Sequence, residues 1–298
     1  MRITLTGATG FIGQRVVQRL LLEGHALTLL SRRARPGENP RCFVCDLAVA
    51  EPPLEALEGA NAVIHLAGEP VAQRWSEDVK RRIRASRVDG TRRLVSAIGR
   101  LERKPAVLIS ASAIGIYGDR GDEILTESSP PGRDFLAAVA LDWEREAQRA
   151  RRYGLRVVNP RIGIVLGKGG GALAKMLPAF RAGAGGRLGS GRQWMSWIHI
   201  EDAVSLILLA VSRQSLDGPV NVTAPHPVTN AAFTRALAQA LGRPAVIPVP
   251  SLALRVLFGE MAGVLLGGAR VLPQVALQAG YAFRFPELQP ALEDILSP

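Results

Sequence analysis

The sequence predicts an α/β fold, a doubly wound parallel sheet with a smaller C-terminal lobe. Three observations carry that expectation. Short apolar runs alternate with longer segments of helical periodicity over the first two thirds of the chain, a glycine-rich turn separates the first such pair, and the texture changes after about Gly167. Ile3-Thr4-Leu5 is the first strand, and Phe11 to Leu22 follows as a helix because Ile12, Val16 and Leu20 recur at helical spacing. Ala26 to Leu30, Cys42 to Val44 and Ala62 to Leu66 read as the next three strands. Glu77 to Gly99 reads as one long helix, Ala106 to Ser110 as a strand, Phe135 to Tyr153 as a helix and Arg156 to Val158 as a strand. Apolar strands joined by helices belong in a parallel sheet covered on both faces. Right-handed connections then make residues 1–166 a doubly wound, Rossmann-type domain. Gly169-Gly170-Gly171, the glycines from Gly183 to Gly191, a proline-bearing segment from Pro244 to Pro250 and a helix-rich tail follow. Residues 167–298 are expected to form the smaller lobe over the carboxyl edge of the sheet, with some segments returning to it. No repeat of solenoid period is visible.

Composition narrows the function. At 47% hydrophobic and 21% charged residues over 298 positions, the chain can bury a sizeable core, which excludes disorder as its main state. The formal charge is +11, with 37 Lys and Arg against 26 Asp and Glu. Such an excess invites a nucleic-acid reading, because phosphate neutralisation supplies most non-specific affinity. Yet the excess is almost all arginine, and the densest run, Lys80 to Arg84 with Arg87, Arg92 and Arg93, lies on a helix whose solvated face accounts for it. With no nucleic-acid module or stacking aromatic cluster, no nucleic-acid partner is expected. Cys42 and Cys45 form a lone pair on a strand, too few for a disulfide framework or a four-ligand metal site, so no metal is assigned. The chain enters its first strand without an apolar signal region. Ala203 to Val211 is too short to span a bilayer, and Leu252 to Leu266 is broken by Arg255 and Glu260. No membrane partner and a cytoplasmic location are expected.

Gly7-Ala8-Thr9-Gly10-Phe11-Ile12-Gly13 lies between the first strand and the first helix. Gly7 permits the tight exit from the strand, Gly10 lets the backbone approach a pyrophosphate, and Gly13 allows close packing of helix on sheet. Unpaired amides at the positive end of the helix then suit phosphates. A bare glycine repeat is weak evidence; inside a strand-helix-strand unit it reads as a dinucleotide site. The end of the second strand selects the dinucleotide. An acidic residue there would bind the ribose hydroxyls of NAD, whereas Ser31-Arg32-Arg33 offers a hydroxyl and guanidinium groups suited to a 2′-phosphate. NADP(H) is the expected cofactor.

These residues resemble a known family. The glycine turn, Cys45-Asp46-Leu47, His65-Leu66-Ala67-Gly68, Ser110-Ala111-Ser112 before Tyr117-Gly118-Asp119, and Trp197-Ile198-His199-Ile200-Glu201-Asp202 are similar to the extended short-chain dehydrogenase/reductases. Ser86-Arg87-Val88-Asp89-Gly90-Thr91, Trp194-Met195-Ser196-Trp197, Ala224 to Asn230 and Gly259-Glu260-Met261 resemble more closely the atypical "epimerase family" proteins, over essentially the whole chain. The resemblance implies that Asp46 and Leu47 contact adenine, that Leu66, Ala67 and Gly68 contact the riboses, and that Ser112 matches the family's catalytic serine. It also implies a homodimer through the helices Glu77 to Gly99 and Phe135 to Tyr153.

The chain departs from the family at the chemistry. The Tyr-x-x-x-Lys pair that handles the proton falls on Phe135 and Val139, and neither can transfer one. An arginine that clamps sugar-nucleotide diphosphates falls on Met195, which argues against such substrates. His199 is read as a structural histidine opening a helix. Gly163 to Lys168 mimics a phosphate-binding loop but lacks its spacing and its Ser or Thr, and no nucleophile-elbow pentapeptide surrounds any serine. The nicotinamide is expected near Ser112 and Ile162, beside a substrate cleft lined by residues such as Tyr117, Trp194 and Trp197. The reading is an NADP(H)-binding oxidoreductase or epimerase of unusual mechanism acting on an unidentified small molecule. Its alternative is a non-catalytic NADPH-sensing regulatory or scaffold protein, for example in cell division.

Overall fold

The computed structural model describes residues 1–33 and 40–297. Its first strand, β1 (Arg2–Thr6), is followed by α1 (Phe11–Leu22), β2 (Ala26–Ser31), β3 (Arg41–Val44) and β4 (Ala62–His65). The segment expected as one long helix divides into α2 (Glu77–Arg84) and α3 (Gly90–Arg100), joined by one π-helical turn over Ala85–Asp89. Such turns widen a helix locally and are frequent at functional sites. Here the turn aims Ser86 and Arg87 at the loop after β4: Glu69 N–H donates to Ser86 Oγ at 3.0 Å, and Arg87 Nη1 donates to the Glu69 carbonyl at 2.9 Å.

The chain continues through β5 (Val107–Ser110), β6 (Ser112–Ala113), β7 (Ile124–Leu125) and α4 (Phe135–Gln148), which Asp134 caps by accepting from Ala137 N–H at 2.9 Å. Next come β8 (Arg156–Ile162), β9 (Ile164–Leu166), α5 (Gly171–Arg181), β10 (Trp194–Met195), β11 (Trp197–His199), α6 (Ile200–Ser212) and β12 (Gly218–Val222). The main sheet runs in the order β3-β2-β1-β4-β5-β8-β12, every pair parallel, and β6 extends the pairing along β8. Residues 200–222 thus return from beyond β9 to complete this sheet.

Alternation along the buried strands explains why helices cover both faces. Leu5, Ile64 and Ile109 pack with Val16 and Leu20 of α1 and Ile207 of α6, whereas Val63, Leu108 and Val157 pack with Leu94 and Ile98 of α3 and Ala147 of α4. Strand order reverses at β1, which has β2 on one side and β4 on the other. Ligands of open α/β sheets bind at such a reversal, beyond the carboxyl ends of the strands.

The rest of the chain adds β13 (Val228–Thr229), α7 (Asn230–Leu241), α8 (Ser251–Phe258), α9 (Ala262–Leu266), β14 (Arg270–Val271), α10 (Gln274–Gln278) and α11 (Leu288–Leu296). Short ladders β9–β11, β10–β13 and β7–β14 stitch it together, and Leu173, Trp197, Phe233 and Leu292 centre a separate apolar core. Among the described residues, no helix is long and apolar enough to cross a membrane, and no group of His, Cys, Asp or Glu is placed to hold a metal.

Asp202, buried in the first turn of α6, ties the tail to the sheet. It accepts from Tyr281 Oη at 2.9 Å, Arg284 N–H at 2.8 Å and Phe285 N–H at 2.9 Å. Truncation strands these donors away from water, so Asp202→Ala should cost about 3 kcal/mol. Chemical denaturation should register that loss, with faster proteolytic cleavage near residues 273–285; an unchanged midpoint would mean that the tail is held by its apolar contacts instead.

Candidate functional site

The glycine turn is shaped by how closely two backbones approach. Gly7 has φ +76°, and a Cβ there would lie 2.6 Å from the Leu66 carbonyl carbon, while one on Gly13 would lie 2.1 Å from the Gly7 oxygen. Only glycine fits either place. Gly10 opens α1 without a side-chain cap, and Gln14 is the first residue whose amide bonds back, to the Gly10 carbonyl. The amides of Phe11, Ile12 and Gly13 therefore carry no backbone hydrogen bond among the described residues, which is what an anion at a helix N-terminus requires. Thr9 and Gly10 are exposed beside them. The Phe11 ring fills the space over Gly167, Gly170 and Gly171, so these glycines seat the ring.

A buried polar chain holds the facing loop. Thr6 Oγ1 accepts from Ala67 N–H at 3.2 Å and contacts His65 Nδ1 at 2.7 Å, and His65 Nε2 contacts Thr91 Oγ1 at 3.0 Å. With Thr6 donating to Nδ1, the ring proton sits on Nε2 and donates to Thr91. Burial first, and the Arg87 charge second, push the imidazole pKa down to about 4, so it is neutral at physiological pH. This chain sets Leu66, Ala67 and Gly68 against the glycine turn, and Gly68 lies on the Arg87 guanidinium, 3.1 Å from the place of a Cβ.

The remaining cofactor candidates lie along the same edge. Ser31 ends β2, and its Oγ accepts from Arg33 N–H at 3.3 Å. Arg32 is 66% exposed at its side chain and stands 3.5 Å from Glu69, whose other oxygen is 3.8 Å from Arg82. Asp46 accepts from Ala48 N–H at 3.0 Å, and Leu47 is buried against Gly90 with its carbonyl held by Arg93 at 2.9 Å. The fold thus gathers the ends of β1, β2, β3 and β4 with Gly7 to Gly13, Ser31, Arg32, Asp46, Leu47 and Leu66 to Gly68.

Beyond the ends of β5 and β8 lies a cavity of about 580 Å³. Phe135 and Val139 both line it, one helical turn apart on α4, together with Val71, Trp75 and Ile162, so this side of the wall is apolar. Three expectations need correction. Tyr117 and Trp197 do not line the cavity; both are fully buried elsewhere, and of the three named aromatics only Trp194 is in the wall. Ser112 is also absent from it, because neighbouring strand residues face opposite ways and Ala113 takes the cavity side.

Ser112 Oγ instead donates to Glu144 at 2.6 Å. Glu144 receives Arg161 through Nε at 2.8 Å and Nη2 at 2.9 Å, and Arg161 Nη1 donates to Tyr117 Oη at 2.9 Å, which donates to Asn221 at 2.7 Å. Burial opposes the Arg161 charge, but the two-point contact with Glu144 outweighs it and holds the pKa above its ordinary value. In this arrangement Ser112 is a positioning residue for a buried ion pair. His199 is likewise structural: it caps α6 by accepting from Glu201 N–H at 3.2 Å and stacks on Phe285 at 4.0 Å. Around Met195, the Gln193 side-chain amide is spent on the carbonyls of Leu188 and Leu265.

The NAD dependent epimerase/dehydratase family matches residues 3–223, and a domain of unknown function, DUF1731, matches residues 249–295. The chain is 43% identical to the chloroplastic epimerase family protein SDR39U1 homolog of Arabidopsis thaliana, covering 99% of this chain and 87% of that one. It is 39% identical to the epimerase family protein YfhF of Bacillus subtilis, covering 100% and 98%. The crystal structure of the human epimerase family protein SDR39U1, isoform 2, with NADPH superposes with a TM-score of 0.89 at 36% identity, over 99% of both chains.

His65 yields a test. Its pKa falls from 6.5 unfolded to about 4 folded, so below pH 6.5 the unfolded chain takes up a proton that the native one refuses. Stability is full above pH 6.5 and should fall by about 3 kcal/mol as pH drops toward 4. His199, lowered chiefly by burial, adds loss in the same direction. Denaturation from pH 7 to 4 should show this slope, and His65→Gln should flatten most of it; equal slopes would place the acid sensitivity elsewhere.

Proposed function

The chain belongs to the NAD dependent epimerase/dehydratase family, and from that membership we propose that it is an NADP(H)-dependent reductase of the atypical extended short-chain type. The observation that carries the reading is the pairing of the Gly7–Gly13 cradle and Arg32 with a large apolar cavity at the same sheet edge. The human relative's NADPH supports the choice of cofactor. Phe11, Ile12 and Gly13 amides would hold its pyrophosphate, Leu66 to Gly68 its riboses, Asp46 and Leu47 its adenine, and Ser31 and Arg32 its 2′-phosphate, with Arg32 leaving Glu69. NADPH supplies a hydride when bound. Phe135 and Val139 exclude water from that side of the cavity, and the proton for the reduced oxygen comes from solvent, because the tyrosine is missing and the Ser112 hydroxyl is committed to Glu144.

The partner implied by the basic composition is then a dinucleotide and a small molecule. Several arginines on the long helices are satisfied by acids, as in Arg84 with Asp142 at 2.8 Å and Arg92 with Glu146 at 3.2 Å, which supports a solvated, ion-paired face over a nucleic-acid surface. The competing reading, an NADPH sensor without turnover, is favoured by the same apolar pair at positions 135 and 139.

Equilibrium binding and a carbonyl screen discriminate these. NADPH should bind at least about tenfold more tightly than NADH, and Arg32→Ala should erase most of that preference, as loss of a charge-assisted phosphate contact does. NADH binding as tightly as NADPH would refute the 2′-phosphate assignment. Oxidation of NADPH during the screen supports the reductase; tight binding with no turnover, and a protein partner recovered by pull-down, supports the sensor. Gly13→Ala, which drives a Cβ into the Gly7 carbonyl, should weaken NADPH by about tenfold or more. Unaltered affinity would place the cofactor elsewhere.

A further inference from the structure

The cavity wall differs from its surroundings in the polar groups it leaves unused. Asp134 caps α4 through Oδ1, Asp119 Oδ1 accepts from Gly268 N–H at 3.3 Å, and Glu260 pairs with Lys80 at 2.5 Å. Ser196 donates to the Ala269 carbonyl at 2.7 Å and accepts from Val271 N–H at 2.9 Å, and Trp194 Nε1 donates to Asp122 at 2.7 Å. Two lining residues keep donors in hand. Arg87 spends only Nη1 on the protein, on the carbonyls of Glu69 and Ile83 and on Ser86 Oγ, leaving Nε and Nη2 without an acceptor among the described residues. Trp143 is 4% exposed, and its Nε1–H is buried with no acceptor among them. The two are neighbours, with the Arg87 guanidinium carbon 5.2 Å from the Trp143 ring centroid.

A buried donor without an acceptor is costly, so the Trp143 Nε1–H stands unpaired chiefly where a ligand completes it, and the half-buried Arg87 guanidinium beside it offers Nε and Nη2 to the same ligand. Donors alone, one of them cationic, call for an anionic oxygen. We infer that Arg87 and Trp143 form a carboxylate seat, and that the substrate is a carbonyl compound with an apolar body and one carboxylate. The inference rests on the reductase reading for its carbonyl and on the geometry for its carboxylate. The apolar body follows from Val71, Trp75, Phe135, Val139 and Ile162, and a volume of about 580 Å³ suits a small molecule. Burial brings the Arg87 pKa down to about 10, with the Glu69 charge offsetting it only in part. In the reaction, the carbonyl carbon would accept a hydride from NADPH, the C=O π pair would pass to oxygen, and that oxygen would take a proton from water, giving NADP+, an alcohol and hydroxide, with the carboxylate unchanged.

A matched pair of probes tests this: 4-formylbenzoate and its methyl ester, which share the ring and the aldehyde and differ in the anion. The wild-type protein with NADPH should favour the carboxylate by about tenfold or more in kcat/KM, and Arg87→Gln should bring that ratio close to one. Arg87→Lys should restore part of it. Trp143→Phe, which keeps the apolar wall, should lower the ratio by a smaller factor. A purely structural role for Arg87 would depress both probes alike, so a ratio intact in Arg87→Gln overturns the proposal. Loss of NADPH affinity with the ratio intact would overturn it too, assigning the guanidinium to the cofactor's phosphates. If neither aldehyde is turned over, the ratio is read as equilibrium affinity on the NADP+-bound protein. A preference for the carboxylate there supports the seat while the reductase reading fails; equal affinity overturns the seat.

Discussion

The close approach of two backbones at the end of β1 is the constraint on which the site depends. Gly7 turns out of the strand in a left-handed conformation with the Leu66–Ala67 peptide against it, and Gly13 brings α1 down onto the Gly7 carbonyl. Nothing with a side chain fits between them. Because β1 sits where strand order reverses, this contact also sets the width of the crevice in which a ligand lies. The Thr6–His65–Thr91 chain reinforces it from below with fully buried polar groups that satisfy one another and fix the loop from Leu66 to Gly68. Polar groups so buried are worth keeping only when all are paired, and here they are.

A second buried network divides the labour at the other end of the crevice. Glu144 and Arg161 form an ion pair inside the protein, and Ser112 and Tyr117 complete its hydrogen bonds. An ion pair of this kind adds little net stability, since desolvation offsets the attraction, but it fixes relative positions because neither partner can leave without stranding the other. It joins α4 to β8 and so holds Phe135 and Val139 at the cavity while drawing the two hydroxyls away from it. The apolar wall at positions 135 and 139 and the turning away of the neighbouring hydroxyls thus share one cause. The cavity keeps an apolar wall at Val71, Trp75, Phe135, Val139 and Ile162, with Arg87, Trp143 and the carboxylates of Asp119, Asp134 and Glu260 also in its lining.

Much of this was legible in the chain. The strands β1 to β5 and β8 and the helix α1 lie where periodicity placed them, since alternation and helical spacing report burial directly, whereas the two-residue strands β6 and β7 are too short to leave a pattern; the glycine turn was readable because only backbone geometry explains three glycines at that spacing. The π turn was not readable. Its cause is the loop after β4, some 17 residues away, whose Glu69 amide and carbonyl take Ser86 and Arg87. Tyr117 and Trp197 looked like cleft residues because aromatic side chains near a strand end commonly line one; the polar partner that buries each lies far along the chain, Asn221 for the first and the His226 carbonyl for the second. The Asp202 anchor, though inside a motif singled out in the sequence, acts on a tail segment about 80 residues downstream.

The sequence by itself determined the fold class, the family, the nucleotide turn and the absence of a tyrosine and lysine at positions 135 and 139, because each is a matter of residue type at a fixed spacing. Only the tertiary structure decided which groups face the cavity. That Ser112 turns to Glu144 while Ala113 faces the space, and that Arg87 lines it, depends on strand pleat, on the turn between α2 and α3 and on partners distant in sequence. Orientation is set by packing, and packing is a property of the folded chain that no local pattern records.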